Sequence, residues 1–232
     1  MEISGARVLV VGATGVLGGL AARALAELGA RVALAGRNPV RLTALARDLG
    51  GAPARCFEAS DLDQCSALGP WAERVLPGLE GVVVTVGAAG FGAVEDVSNA
   101  VAGHLLTVNA LCPMAVLRGA APVVADKGFL LAVTGGVPAP RSRTDAPDGI
   151  AGSADGIAGT ADYTASKAAL SGWLGVLSEE LAPRSVAVHD IRSPHLDTGF
   201  TERPVAGEPP VLPPGADALE AVRSLVERIT AA

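Results

Sequence analysis

Tyr163 and Lys167, four residues apart in "ADYTASKAAL" (161–170), are the pair in this chain best suited to proton chemistry. Tyr163 is the one tyrosine and Lys167 one of two lysines; basic charge elsewhere rests on arginine. On a helix, residues four apart share a face, so phenol and ammonium would point the same way. A free phenol has a pKa near about 10, too high for ready proton exchange at neutral pH. An ammonium beside it favours the phenolate and lowers that value, which would make the pair a general acid–base. A tyrosine packed on a helix beside a snorkelling lysine has the same spacing.

A second set of residues suits anion binding. In "VVGATGVLGG" (10–19), Gly12, Gly15 and Gly18 leave the backbone uncovered at the start of a helix. Helix N–H groups and the positive dipole end there would receive a pyrophosphate, although any tight strand-to-helix turn also favours glycine. "AGRN" (35–38) places Gly36 and Arg37 where a carboxylate would hold ribose hydroxyls. A guanidinium there suits a 2′-phosphate, or it is a surface arginine opening the next helix. Asp61 in "SDLD" (60–63) either accepts from an adenine amine or caps a helix, or does both.

The elements that must position these groups alternate. Short β-branched runs at 6–11, 30–35, 53–58, 81–86, 128–133 and 185–190 read as strands. Longer Ala/Leu-rich stretches at 17–28, 39–49, 62–76, 99–124, 162–182 and 216–230 read as helices. Such alternation predicts an α/β fold, a mostly parallel, doubly wound sheet of six or seven strands with helices on both faces. The expected organisation is one domain over 1–232. Ligands would sit beyond the carboxyl ends of the strands. Two stretches are irregular. Residues 134–161 contain the tandem repeat "DGIAGSADGIAGTAD" (148–162), which reads as a duplicated, inserted surface loop. Residues 192–215 carry six prolines and three glycines and read as a lid over a substrate site.

Composition narrows the function. Half the residues are apolar, enough for a sizeable core, and the net charge is −6 with no basic run. A nucleic-acid partner, whose phosphates want a clustered positive face, is not expected. Cys56, Cys65 and Cys112 form no CxxC pair and imply neither a disulfide framework nor a metal site. They read as small core residues of a reducing compartment. No apolar run approaches the roughly 20 residues of a membrane helix, and the early strand leaves no room for a signal peptide. The expected location is cytoplasmic, with no membrane partner.

Taken together, these residues resemble the short-chain dehydrogenase/reductase family. The likeness runs from residue 6 to about 200. It rests on the glycine loop, the "D-L" of Asp61-Leu62, "VGAAG" (86–90), "LLTVNALCP" (105–113), "YTASKAAL" (163–170) and "IRSPHLDTG" (191–199). The resemblance implies a Rossmann-type fold and a nicotinamide cofactor touching Gly12, Thr14, Gly15, Val16, Leu17, Gly18, Arg37, Asn38, Asp61, Leu62, Gly87, Ala88, Tyr163, Lys167, Pro194, Leu196 and Thr198. It implies that Tyr163 exchanges a proton with a carbonyl or alcohol oxygen as hydride moves. Lys167 would tune it and hold the nicotinamide ribose, and Asn109 would help hold the lysine and a water in a proton relay. With Arg37 in place of a carboxylate, NADP(H) is expected over NAD(H).

Several positions depart from the family. Gly87 replaces a frequent asparagine, and His195 follows Pro194 where the family has glycine. The family's catalytic serine aligns with Gly136, and the 27 positions from there to Tyr163 are about twice the family's spacing. Ser153 or Thr160 in the insertion is a candidate for the missing hydroxyl. The expected function is an NADP(H)-dependent oxidoreductase acting on a small carbonyl or secondary alcohol. The alternative is a cofactor-binding protein without redox turnover, a sensor or non-redox catalyst. The resemblance also implies a homo-dimer or homo-tetramer.

Overall fold

The computed structural model describes residues 2–135 and 157–231. Its centre is a six-stranded, all-parallel sheet in the order β3-β2-β1-β4-β5-β6. The strands are β1 (Arg7–Val11), β2 (Arg31–Gly36), β3 (Ala54–Cys56), β4 (Gly81–Val84), β5 (Phe129–Val133) and β6 (Ala187–Ile191). Strand order reverses at β1, whose neighbours are β2 and β4; Val8 lies between Val32 and Gly81. That reversal opens a crevice at the carboxyl ends of β1 and β4.

Alternation along the strands sorts the core into two layers. Leu9, Val11, Val82, Val84, Leu130 and Ala132 face α4 (Leu68–Val75), α6 (Cys112–Ala120) and α7 (Ala161–Leu181), against Leu68, Leu117 and Leu174. Val8, Val10, Val83, Phe129 and Leu131 face α1 (Val16–Glu27) and α8 (Ala218–Thr230), against Leu25, Leu225 and Ile229. Each fully buried leucine contributes roughly 1.5–3 kcal/mol. Gly81 makes room for its neighbour: a Cβ there would lie 2.1 Å from the Phe129 ring. The outer strand β2 is flanked by α2 (Pro39–Asp48), which buries Leu42 and Leu45.

The helices differ from their sequence-based bounds in two places. The stretch expected as one helix over 62–76 breaks at Ala67 into α3 (Leu62–Ser66) and α4. The stretch 99–124 is α5 (Asn99–Leu106), a π turn at Thr107–Leu111, and α6. Its 22 residues Asn99–Ala120 are long and apolar enough to cross a membrane by length and composition, contrary to the expectation that no run approached that length. In this fold half of its most apolar stretch is buried.

The proline-rich stretch 192–215 has no helix or strand. It is tied down by a parallel bridge between Leu196 and Ala216, and by hydrogen bonds from Val205 N to Ala89 O and from Phe91 N to Ala206 O. It therefore lies across the segment that leaves β4, where a lid would lie. The 134–161 stretch is described only at Thr134, Gly135 and 157–161; the rest of the expected loop, including Gly136 and Ser153, lies outside the described residues.

Candidate active site

The glycine loop turns from β1 into α1 under tight constraint. Gly12 has φ +91°, a conformation L-residues rarely adopt, and a Cβ on Gly18 would lie 2.3 Å from Gly12 O. Thr85 closes the floor, its hydroxyl donating to Val11 O at 3.1 Å. Gly15 is the N-cap and offers no side chain to the first turn, so the N–H groups of Val16, Leu17 and Gly18 have no acceptor among the described residues. Bare backbone and free donors at a helix start fit a pyrophosphate.

At the end of β2, Gly36 lies against Thr14, where a Cβ would meet the threonine side chain at 2.8 Å. Arg37 is exposed and makes no hydrogen bond or ion pair among the described residues. Asn38 caps α2 by accepting from Arg41 N at 3.0 Å. Asp61 caps α3: one oxygen accepts from Gln64 N at 3.0 Å, the other from Gln64 Nε2 at 2.8 Å. Those bonds, the backbone one first, hold its carboxyl below the usual value. The cap role is therefore the one seen, and a ligand amine would have to share those oxygens.

Tyr163 and Lys167 lie near the start of α7, on one face as the spacing requires. Lys167 Nζ sits 6.0 Å from the centre of the Tyr163 ring and 3.4 Å from Val133 O at the end of β5. Lys167 is 5% exposed. Tyr163 lies between two of the chain's four phenylalanines, with Phe91 and Phe200 each 6.5 Å away between ring centres. Burial pushes the phenol up to about 12 and brings Lys167 down to about 8. The expected lowering of the phenol by its lysine is not present in the chain alone. Desolvation of a phenolate outweighs the pull of an ammonium at this separation.

The side chain of Asn109 ties two segments of the site together. It is fully buried in the π turn. Its Oδ1 accepts from Ala88 N at 2.8 Å, while Nδ2 donates to Ala88 O at 2.9 Å and to Ser166 Oγ at 3.0 Å. Ser166 in turn donates to Tyr163 O at 2.7 Å. The amide thus clamps the end of β4 to the helix carrying Tyr163, with every one of these groups satisfied. Gly87 lies beside it. A Cβ there would meet Lys167 Nζ at 3.2 Å, Asn109 Oδ1 at 3.3 Å and Phe200 Cζ at 3.5 Å.

Comparison with known proteins settles the lineage. A model of the short chain dehydrogenase family matches residues 6–135, more than half of the chain. The chain belongs to the short-chain dehydrogenase/reductase family. Nodulation protein G of Rhizobium sp. (strain N33) is 29% identical over 208 residues, covering 87% of this chain and 78% of the relative. A short chain dehydrogenase from Burkholderia cenocepacia J2315, solved in complex with NADP, superposes with a TM-score of 0.81 at 22% identity, covering 99% of this chain and 92% of its own. An alcohol dehydrogenase from Thermococcus sibiricus, complexed with 5-hydroxy-NADP, gives 0.79 at 20% identity, covering 96% and 89%. The six parallel strands and their flanking helices are the fold these dehydrogenases share.

For a short-chain dehydrogenase, the position facing the tyrosine is informative. A Cβ on Gly135 would lie 3.7 Å from the Tyr163 hydroxyl; the neighbouring Gly136, where the family's serine was expected, lies outside the described residues. Thr134 supplies no substitute there, because its hydroxyl donates to Asp190 Oδ1. Thr160 donates to Ile157 O at 2.7 Å and contacts the Thr164 hydroxyl. Asp190 also accepts from Ser171 and Arg192. Burial pushes its carboxyl up, and the hydrogen bonds from Ser171, Thr134 and Arg192 outweigh this and leave it low.

Beyond β6, Pro194 is exposed, Leu196 forms the bridge to Ala216, and Thr198 N donates to Leu196 O. Next to Pro194, the buried Ser193 hydroxyl has no partner among the described residues. Phe91 and Phe200 were not singled out from the sequence. The scarcity of aromatics in the chain was the one available sign, since the approach of these two rings to Tyr163 depends on residues 192–215 lying across the segment that leaves β4.

Proposed function

We propose that this short-chain dehydrogenase is an NADP(H)-dependent oxidoreductase that interconverts a carbonyl and a secondary alcohol. The observation that carries the reading is the placement of half-buried Tyr163 and buried Lys167 together at the carboxyl ends of β4 and β5, beside the glycine loop that ends β1. Val16, Leu17 and Gly18 would hold the pyrophosphate through their free N–H groups. Arg37, unpaired at the end of β2, would hold a 2′-phosphate. Lys167 would donate to the nicotinamide ribose. When bound, the nicotinamide supplies or accepts the hydride.

Tyr163 gives its proton to the carbonyl oxygen in reduction and recovers it in oxidation. Its pKa of about 12 in the chain alone makes it a poor base at neutral pH. A positive charge brought near by an oxidised nicotinamide would lower that value, so the site would gain its base only when loaded. Phe91 and Phe200 exclude water from the phenol on two sides. The test is loss of NADPH absorbance during incubation with a broad panel of ketones and aldehydes. Oxidation of NADPH in step with alcohol formation supports the reading; cofactor binding without turnover on any member overturns it.

Gly135 favours a second reading. It presents no hydroxyl to Tyr163, and losing one donor aimed at a developing oxyanion costs roughly 3–4 kcal/mol. A protein that binds the cofactor as a sensor or non-redox catalyst would tolerate that loss. The same panel separates the two.

A further inference from the structure

Cys65 in α3 and Cys112 at the start of α6 belong to neither the glycine loop nor the Tyr163 cluster. Their sulfurs lie 3.5 Å apart, within reach of a thiol hydrogen bond, and both residues are fully buried. The contact follows from backbone packing. A Cβ on Gly119 would stand 2.0 Å from Ser66 O, and one on Gly69 2.6 Å from Ala120 Cα. The two helical segments therefore meet main chain to main chain, with no side chain left between the thiols. The third cysteine, Cys56, is exposed at the end of β3.

We propose that Cys65 and Cys112 are an oxidisable pair that closes to an intramolecular disulfide when the protein meets a peroxide. A disulfide needs sulfurs at about 2.05 Å, so the side chains must close by roughly 1.5 Å, a shift that side-chain rotation and a small helix displacement supply. Cys65 is the attacking sulfur. The neighbouring Cys112 thiol holds it below the ordinary thiol value, against burial and the Asp61 carboxylate, which push it up. The Cys65 thiolate attacks one peroxide oxygen, the O–O bond breaks, and a sulfenic acid and, after protonation, water result. Cys112 then attacks that sulfur, its proton leaves with the hydroxyl as a second water, and the disulfide forms. Two electrons pass from the thiol pair to the peroxide. Two equivalents of a small-molecule thiol reduce the disulfide back to the thiol pair by exchange, leaving as their own disulfide.

The bond would tie the helix capped by Asp61 to the helix that continues from the π turn holding Asn109. With no exposed surface on either residue, a peroxide must enter through opening of the five-residue α3. Closure is therefore slower than oxidation of Cys56. The proposal is independent of redox turnover at Tyr163.

The experiment uses the full chain with Cys56→Ser, which removes the exposed thiol. The protein is treated with hydrogen peroxide, unfolded in a thiol-alkylating reagent, and digested without reductant for mass spectrometry. The expected result is a peptide pair joined through Cys65 and Cys112, lighter by two hydrogens and separated again by dithiothreitol. A second variant adds Cys112→Ser, which should leave Cys65 as a sulfenic acid that dimedone traps. Full alkylation of both cysteines after peroxide treatment overturns the proposal. So does separate oxidation of each to sulfinic or sulfonic acid, or joining only between two chains. If the Cys112→Ser variant does not fold, the joined peptide in the Cys56→Ser protein still decides the matter.

Discussion

Gly135 faces the hydroxyl of Tyr163, and a Cβ placed on it would stand 3.7 Å from that oxygen. Its φ of +82° belongs to the left-handed region, which costs an L-residue roughly 1–2 kcal/mol. Space and strain therefore act in opposite directions at one position. The backbone at Gly135 disfavours a serine beside the tyrosine, though there is room for its side chain.

Gly135→Ser and Gly135→Ala should each lower stability by about 1–2 kcal/mol, because the backbone penalty is common to both. On a ketone that is demonstrably reduced, the serine variant should turn over faster than the alanine variant, by up to about 10²-fold. Thermal unfolding and kcat measured on both variants decide this. Equal turnover would mean that the missing hydroxyl does not limit the reaction.

Tyr163→Phe keeps the ring between Phe91 and Phe200 and removes only the proton donor. NADPH affinity should remain within a few-fold while kcat falls steeply. Turnover close to that of the unmutated protein would place the proton source elsewhere.

Arg37→Ala should weaken NADPH binding about ten-fold or more and leave NADH binding unchanged, since a charge-assisted hydrogen bond contributes roughly 1.5–3 kcal/mol. Fluorescence titration with both cofactors reads this directly. Indistinguishable NADPH and NADH affinities in the unmutated protein would remove Arg37 from cofactor choice.

Lys167 is buried with its pKa lowered to about 8, against an ordinary value near 10.5. Between those values the unfolded chain binds the proton that the folded chain has lost, so stability from this group rises with pH across that window. Below pH 8 the folded state holds a desolvated charge, at a cost on the order of 3 kcal/mol. Lys167→Met should be more stable than the unmutated protein at pH 7, with the difference shrinking as pH approaches 10. Urea unfolding of both proteins from pH 7 to 9.5 tests this, before Tyr163 and its unfolded counterpart add a term of opposite sign. A pH-independent difference would show that Lys167 is not the titrating group.

Phe200 reaches the open side of Gly87, where Lys167 Nζ also points. If Lys167 holds the ribose as proposed, a ring held there would stand in its way. Phe200→Ala should therefore raise the association rate of NADPH in stopped-flow measurements. An unchanged rate would mean that Phe200 does not obstruct the cofactor.

Much of this molecule was determined by local pattern. Apolar runs every few tens of residues specified the strands, the glycine loop marked the first strand-to-helix turn, and a spacing of four placed Tyr163 and Lys167 on one helix face. These depend on neighbours in the chain, so the sequence alone carries them. The break at Ala67 and the π turn at Thr107–Leu111 were less legible, because packing between α3, α4 and α6 decides where those helices bend. Long-range contact decided the rest. Asn109 meets Ala88 and Ser166, from two other parts of the chain, which made it a clamp. Asp61 found its partner in Gln64, and desolvation under Phe91 and Phe200 raised Tyr163 where the lysine alone would have lowered it. That Gly135 faces the phenol turned on one backbone angle, its φ of +82°. No periodicity in the sequence encodes such an angle, because it is set by how the chain leaves β5 toward the neighbouring helix.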